Sequence, residues 1–195
     1  MRTLIRSLIA IVVITAVFGL AYPAVMTGLA SLAFPSQAKG SLLYRNGVVV
    51  GSSLAAQSFT APRYFHERPS GTTPAYNAAG TTFANLGPTN PALAAAVRKQ
   101  AQAVFALERP YNPGLTIAGI PVDAVTTSGS GIDPDISPAY AQLQAHRVAA
   151  VRHLPLATVE RLIRQNTTGR SLGLFGEPGV NVLTLNLALD RIGGK

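Results

Sequence analysis

The residue types of a serine hydrolase site are all present in this chain. Such a site pairs a nucleophilic serine with a histidine base and a carboxylate that orients the histidine. The candidates are Ser128 or Ser130, His66 or His146, and Asp123 or Asp133. Neither serine, however, lies in the G-x-S-x-G motif that raises a catalytic serine on a sharp turn. We therefore predict no catalytic residues here.

Two glycine-rich stretches, Gly129–Gly131 and Gly173–Gly176, could suggest a phosphate-binding loop. Neither is followed by the Lys-Ser/Thr pair that such a loop needs, and neither has the spacing of a dinucleotide fingerprint. Glycine in a turn, where it supplies a positive φ angle, explains each stretch better. The sequence therefore predicts turns at both places.

Metal binding is equally weakly indicated. The chain has no cysteine, so disulfides and thiolate metal sites are excluded. His146 and His153 are seven residues apart and lack a third ligand. Asp133 and Asp135 lack the rest of the twelve-residue pattern of a calcium loop. We predict no metal site and no cofactor of the chain's own.

A buried arginine is the most specific polar feature. On a predicted helix, one stripe places an amide and a guanidinium where apolar residues would be expected. The stripe consists of Tyr140, Gln144, Arg147 and Val151. A partly buried Arg147 requires a partner, and Asp123 or Asp133, both just upstream, could supply it. We predict that Arg147 ties the SGSGIDPD loop to the helix; a ligand or protein contact is the alternative.

The residues discussed so far all follow an N-terminal run without charge, from Leu8 to Phe34, which would fix the position of the rest of the chain relative to a membrane. As a helix it would be about 40 Å long, which exceeds the roughly 30 Å of bilayer hydrocarbon. We predict one transmembrane helix that tilts, or bends at Pro23. Arg2 and Arg6 precede it without any acid, which favours a cytoplasmic N-terminus. A cleaved secretory signal is the alternative, although the run is nearly twice the usual apolar length.

The charge balance limits what the remainder binds. After Arg2 and Arg6 are set aside, 14 basic and eight acidic residues remain. This favours anionic neighbours such as lipid headgroups or an acidic partner. Nucleic acid is not expected, because the basic residues are scattered rather than interleaved with aromatics. The predicted organisation is a cytoplasmic N-terminus over 1–7, a membrane helix over 8–34 and an extracytoplasmic domain over 35–195.

Local patterns predict an α+β fold with a small β-sheet or hairpin and about three helices. A hairpin over 42–54 turns at Asn46-Gly47, the dipeptide that best fits a two-residue turn. Helices are predicted over 91–107, from Ser137 to about His153, and from Pro155 onwards, with Asn90 and Ser137 as the N-caps of the first two. A short strand is expected over 115–118. In the tail, Val180 to Leu183 favours a strand, and 185–189 fits either helix or strand.

Residues 57–90 form a long loop with scattered aromatic side chains and no helical or strand period. Unstructured loops of this length usually serve a surface or a partner. We predict that the aromatic residues pin this loop against something. The candidate contact residues are Phe65, Arg68, Asn85 and Asn90.

Several long motifs occur together, in order, along nearly the whole chain. They are SQAKGSL at 36–42, FHERPS at 65–70, ANLGPTNP at 84–91, PVDAVTTSGSGIDPDISP at 121–138, QAHRVAAVR at 144–152 and LGLFGEPGVNVLTLNLALD at 172–190. On these motifs the chain resembles the C subunits of the Kdp potassium-transporting P-type ATPase. Two positions depart from that family's pattern: Asp135, where His is frequent, and Ala84, where Ser is usual.

The resemblance implies an accessory subunit of an inner-membrane potassium uptake complex. Its partners would be a channel-like potassium-binding subunit, a P-type ATP-hydrolysing subunit and a small single-span subunit. ATP and potassium would be handled by those partners; this chain lacks the Asp-Lys-Thr-Gly phosphorylation motif. The family's C subunit is described as an assembly factor and a catalytic chaperone that raises ATP affinity, with a nucleotide-associated Gln that matches Gln144.

The predicted orientation conflicts with a direct role in nucleotide binding. With the N-terminus in the cytoplasm, Gln144 lies outside, whereas ATP is hydrolysed inside. We therefore expect a cap on the outer mouth of the channel-like subunit that affects ATP use indirectly. An independent membrane-anchored hydrolase and a lipid- or wall-binding module are the alternatives.

Overall fold

The computed structural model describes residues 1–80 and 85–193. Phe83, one of the aromatic residues of the long loop over 57–90, and Ala84, which departs from the family's pattern, lie outside the described residues. The chain divides into two compact units, Met1–Ser52 and Ser53–Lys195.

The first unit begins with one continuous helix, Arg2–Ala33, long and apolar enough to cross a membrane. It comprises α1 (Arg2–Ile14), a π-helical segment Thr15–Ala21 and α2 (Tyr22–Ala33). The π-helical segment ends two residues before Pro23, whose missing N–H and ring disturb the regular ladder. The proline is thus accommodated by widening the turn before it. The helix begins at Arg2, ahead of the uncharged run; the membrane-spanning bounds of 8–34 stay a prediction.

A short helix and a hairpin complete this unit. Helix α3 (Pro35–Ala38) leads into β1 (Leu42–Arg45) and β2 (Val48–Ser52), which pair antiparallel. Asn46 and Gly47 have φ angles of 52° and 79°, as a type I′ turn requires. The predicted hairpin and its turn are confirmed.

The second unit contains four helices of ten or more residues among those described: α4 (Pro91–Glu108), α5 (Pro138–Arg152), α6 (Leu156–Gln165) and α7 (Val182–Ile192). Asn90 and Ser137 cap α4 and α5 by accepting hydrogen bonds from Ala92 N and Tyr140 N, at 2.9 and 3.0 Å. Both predicted caps are confirmed.

A small antiparallel sheet has the order β3-β5-β4, with β3 Asp135–Ile136, β4 Thr167–Thr168 and β5 Gly179–Asn181. The tail thus begins as a strand and continues as α7, because Asn181 caps that helix through Thr184 N at 3.1 Å. This gives one helix more than the approximate number expected. The predicted strand over 115–118 is wrong, since a 3-10 turn occupies Ile117–Gly119. The mixture of helices and small sheets confirms the α+β class.

The hydrophobic core surrounds α5. Its small residues Ala141, Ala145 and Val148 are fully buried, which lets neighbouring elements approach the helix closely. The core also includes Phe65, Val104, Ile136, Tyr140, Val159, Leu162, Ile163, Val180, Val182, Leu185 and Leu189. A loop residue, Phe65, therefore lies in the centre of a core otherwise built from helices and strands.

Candidate functional site

An irregular segment of the long loop, 62–66, packs against α5 and α7. Phe65 is buried, the residues on either side of it are partly buried, and Pro62 is exposed. A buried backbone without a neighbouring strand still needs partners for its N–H and C=O groups. Side chains supply them here. Each carbonyl from Pro62 to His66 accepts a hydrogen bond from a side chain of one of these two helices. We call these side chains and residues 62–66 the loop-pinning site.

Two amides hold consecutive residues of the segment. Gln144 on α5 accepts from His66 N at 2.8 Å and donates to His66 O at 3.0 Å. Asn186 on α7 accepts from Phe65 N and donates to Phe65 O, both at 2.9 Å. A carboxamide presents one donor and one acceptor, so each side chain reproduces the pairing of a strand neighbour.

Two arginines complete the set. Arg147 donates to Pro62 O, to Tyr64 O at 2.9 Å and to Gln144 Oε1 at 2.8 Å. Arg152 donates to Arg63 O at 2.7 Å. Both guanidinium groups are essentially inaccessible to solvent. A guanidinium offers five donors in a planar fork, and this geometry suits several carbonyls that point in different directions.

Arg147 pairs with Glu108, the last residue of α4, at a distance of 2.8 Å between Nε and Oε1. Because Glu108 is only 1% exposed, burial raises the pKa of its carboxyl, and the charge of Arg147 counteracts that effect. The predicted pairing of Arg147 with Asp123 or Asp133 is therefore wrong. Those carboxylates lie just before α5 in sequence, whereas the guanidinium points into the core, where α4 ends.

The other arginine has its own carboxylate. Arg152 pairs with Asp190 at 2.8 Å, and the same carboxylate accepts from the Tyr64 hydroxyl at 3.1 Å. The Arg152 guanidinium also lies 4.9 Å from the centre of the Tyr64 ring. The Phe59 ring packs against that ring at a centroid distance of 5.2 Å, with the two planes tilted by 54°. The aromatic residues do pin the loop as predicted, and they pin it to the domain's own helices.

Two titratable side chains beside the segment have altered acidities. Burial, reinforced by the charge of Arg147, lowers the pKa of His66 to about 4. Burial raises the pKa of Glu67, which is 5% exposed, to about 8. The backbone amides of Gln57 and Phe59 moderate that shift, although neither forms a hydrogen bond of ordinary geometry with the carboxyl. At pH 7 both side chains are therefore predominantly neutral.

The SGSGIDPD loop is fixed by other contacts. Asp123 accepts from the backbone N and the hydroxyl of Ser137, at 2.7 and 2.9 Å, and so anchors the start of α5. Asp133 pairs with Arg68 at 2.9 Å, and Arg68 also donates to Thr127 O at 3.3 Å. Asp133 thus links the SGSGIDPD loop to the long loop, whereas Asp123, which lies upstream of it, holds the first residue before α5.

The residues proposed for a hydrolase triad are engaged elsewhere. The hydroxyls of Ser128 and Ser130 are 3.2 Å apart, and Ser128 accepts from Gly131 N at 2.9 Å. The imidazole of His66 bonds Ala61 O at 3.1 Å. Gly131, with a φ angle of 71°, occupies a turn, as predicted for the glycine-rich stretch.

The predicted contact residues have different positions. Phe65 is 0% exposed, so the docking role predicted for it is wrong: its ring fills the core because the segment that carries it is drawn inward. Asn85 and Leu86 line a cavity of about 500 Å³ beside the apolar side of α4. Asn90 caps α4. Partner contacts by Arg68, Asn85 and Asn90 stay predictions.

Sequence reasoning missed Glu108, Arg152, Asn186 and Glu67. One signal could have found Asn186, because a lone amide stands in the apolar run from Leu183 to Leu189. A buried amide needs partners, just as the arginine at position 147 does. No comparable local signal marks Glu108, which ends an ordinary amphipathic helix.

The fold and the loop-pinning site define a class: a protein with one apolar N-terminal helix and an α+β domain whose buried polar residues hold its own backbone. Comparison with known proteins then gives the family. The family model of KdpC, the c chain of the K⁺-transporting ATPase, matches residues 4–191. The chain belongs to the KdpC family, and with it to the subunits of a potassium-transporting ATPase.

Individual relatives agree over nearly the full length. The potassium-transporting ATPase KdpC subunit of Burkholderia vietnamiensis is 53% identical over 196 residues, covering 100% of this chain and 99% of the relative. The corresponding subunit of Methylobacterium nodulans is 52% identical, with 94% of each chain covered. That of Bradyrhizobium diazoefficiens is 46% identical, with 100% of each covered. Family membership, together with the apolar helix, supports a location in the membrane.

Proposed function

We propose that this chain is a non-catalytic accessory subunit that helps to assemble an ATP-driven potassium uptake complex and raises its ATP affinity from a distance. Its partners are a channel-like potassium-binding subunit, a P-type ATP-hydrolysing subunit and a small single-span subunit. The helix lies in the inner membrane with its N-terminus in the cytoplasm. The folded domain lies outside, as a cap on the channel-like subunit.

The observation that carries the proposal is that the Gln144 side chain is buried and hydrogen-bonded within the domain. This side chain is 0% exposed, and both amide heavy atoms are committed to His66, with Arg147 as a further donor to the oxygen. A nucleotide could reach the amide only if the loop left the core. The family's nucleotide-associated glutamine is here a positioning residue that fixes the shape of the domain.

An effect on ATP affinity is therefore indirect. A ligand or subunit can shift a conformational equilibrium only by binding one state more tightly than another. A rigid outer domain that fits one transport state better than the others stabilises that state, and with it the ATP affinity that accompanies it. The loop-pinning site supplies the rigidity.

Labelling of introduced cysteines in intact cells tests the orientation. Because the chain has no cysteine, Ala150→Cys on the exposed side of α5 and Thr3→Cys in α1 each create one unique thiol. We expect a membrane-impermeant maleimide to label position 150 before lysis and position 3 only after lysis. If only position 3 is labelled in intact cells, the orientation is the reverse of the one proposed, and the domain cannot be an outer cap.

A second measurement tests the accessory role. The full-length chain is expected to co-purify in detergent with the other ATPase subunits, identified by their sequences. The complex without this chain should show a higher KM for ATP. Recovery of the chain alone, or hydrolysis of ester or amide substrates by it, would contradict the proposal.

A further inference from the structure

The loop between β4 and β5 presents three large apolar side chains to solvent. Leu172, Leu174 and Phe175 are 89%, 75% and 65% exposed. Together they present roughly 400 Å² of apolar surface, the size of patch that on a monomer often marks an interaction site. The second half of the motif at 172–190 builds the core through α7, but these three residues contribute nothing to that core.

The loop has a defined shape. Ser171 N donates to Phe175 O at 2.8 Å, and Phe175 N donates back to Ser171 O at 3.0 Å. Leu172, Gly173 and Gly176 all have positive φ angles, of 54°, 73° and 81°. A leucine rarely adopts this conformation, whereas Gly or Asn adopts it readily. An apolar side chain is thus held outward at a position where a smaller residue would suit the backbone better.

The base of the loop is electrically neutral. Arg170 Nη2 contacts both carboxylate oxygens of Glu177, at 2.7 and 2.8 Å. The residues between them carry no charge. A loop that inserts into an anionic lipid surface gains from unpaired basic residues beside its apolar tip, and here the one basic residue is paired. A preformed, neutral, apolar projection instead suits a pocket of fixed shape in a protein.

We propose that residues 171–175, the apolar tip, dock into an uncharged apolar pocket on another subunit of the potassium-transporting ATPase. The proposal rests on the proposed function, because it requires that the chain work within that complex. It assigns the docking role to this tip, in place of the buried Phe65.

Co-purification of the full-length chain with the other subunits tests the tip. The variant Leu174→Ser/Phe175→Ser should recover at least tenfold less of the other subunits than the wild type. The matched control is Ile117→Ser/Val122→Ser, since those side chains are 53% and 72% exposed on another loop. It should recover as much as the wild type. Both variants should melt at the temperature of the wild type, because only exposed side chains are replaced in them.

The outcomes separate the two proposals. If the wild type recovers the other subunits and the tip variant recovers them equally well, the apolar tip is not the docking element, and the accessory role stands. If the wild type recovers none, the accessory role itself fails. If the control loses the subunits as strongly as the tip variant, the effect is not specific to the tip and the tip proposal is overturned.

A fluorescent probe distinguishes a protein pocket from the bilayer or a second copy of the chain. Leu174→Cys provides a unique thiol for an environment-sensitive dye. We expect a blue shift in the assembled complex and none in the chain reconstituted alone in lipid vesicles. A blue shift for the chain in vesicles without the other subunits would overturn the proposal and indicate contact with lipid or with a second copy of the chain. The absence of a shift in both samples would overturn it as well.

Discussion

Gln144 and the backbone of His66 are joined by two hydrogen bonds, of 2.8 and 3.0 Å, in the pattern of two neighbouring strands. Asn186 makes the equivalent pair with Phe65 from another helix. One short segment is therefore held from two sides by the same chemistry. Any property that depends on the position of this segment should respond to both amides alike.

Gln144→Ala and Asn186→Ala are accordingly expected to raise the KM for ATP of the assembled complex by similar factors, roughly fivefold or more. Each variant releases one residue of the segment and leaves buried backbone groups without partners. The measurement is ATPase activity against ATP concentration. Gln142→Ala, on the exposed side of α5, should leave the KM unchanged. A rise with Gln144→Ala alone would instead indicate direct contact of that side chain with nucleotide.

Arg147→Ala should destabilise the full-length chain by about 3–5 kcal/mol, because it leaves Glu108 as an unpaired buried charge and exposes several carbonyls to an empty space. Thermal unfolding in detergent, followed by helical circular dichroism, measures this. Arg161→Ala on the exposed side of α6 is the matched control, with an expected change within about 0.5 kcal/mol. An unchanged melting temperature for Arg147→Ala would show that the network contributes little.

These residues also show what could be predicted from the sequence. The Asn46-Gly47 turn and the Asn90 and Ser137 caps depend on a few adjacent residues, and each was predicted correctly. The partners of Arg147 and Phe65 are set by tertiary packing. Glu108 is 39 residues from Arg147, and Asn186 is 121 residues from Phe65. A stripe on a helix predicts that an arginine is buried, but it does not identify the distant carboxylate that reaches it.

Glu67 predicts a specific dependence of stability on pH. Its pKa is near the ordinary value of 4.5 in the unfolded chain and about 8 in the folded chain, so the folded state holds an extra proton between these values. Its contribution to stability is therefore full below about pH 4.5 and is lost as pH rises towards 8, with a slope of up to about 1.4 kcal/mol per pH unit. Glu67→Gln, which cannot ionise, should remove this loss.

The measurement is the free energy of unfolding of wild type and Glu67→Gln at several pH values. The difference between the two chains isolates Glu67, because both chains contain His66 and its contribution cancels. Without this subtraction His66 would mask part of the effect: its pKa falls from 6.5 to about 4 on folding, so its contribution to stability grows as pH rises between those values. Glu160→Gln, at a partly exposed position, is the control and should run parallel to wild type. A parallel curve for Glu67→Gln would mean that Glu67 is ionised in the folded protein at neutral pH.

The two glycines of the SGSG stretch should tolerate alanine very differently. Gly131 has a φ angle of 71°, and an added Cβ would lie 2.8 Å from Thr72 Cγ2 and 3.4 Å from the backbone N of Gly71. Gly129 has neither constraint, since no atom of the described residues lies within 4 Å of its Cβ position. We expect Gly131→Ala to cost about 1–3 kcal/mol of unfolding free energy, and Gly129→Ala to be within about 0.5 kcal/mol of wild type. Because Ser70 of the long loop donates to Gly131 O, Gly131→Ala should also raise the KM for ATP in the complex, which Gly129→Ala should not. Equal stability of the two variants would show that the turn yields to the added methyl group and does not fix the loop.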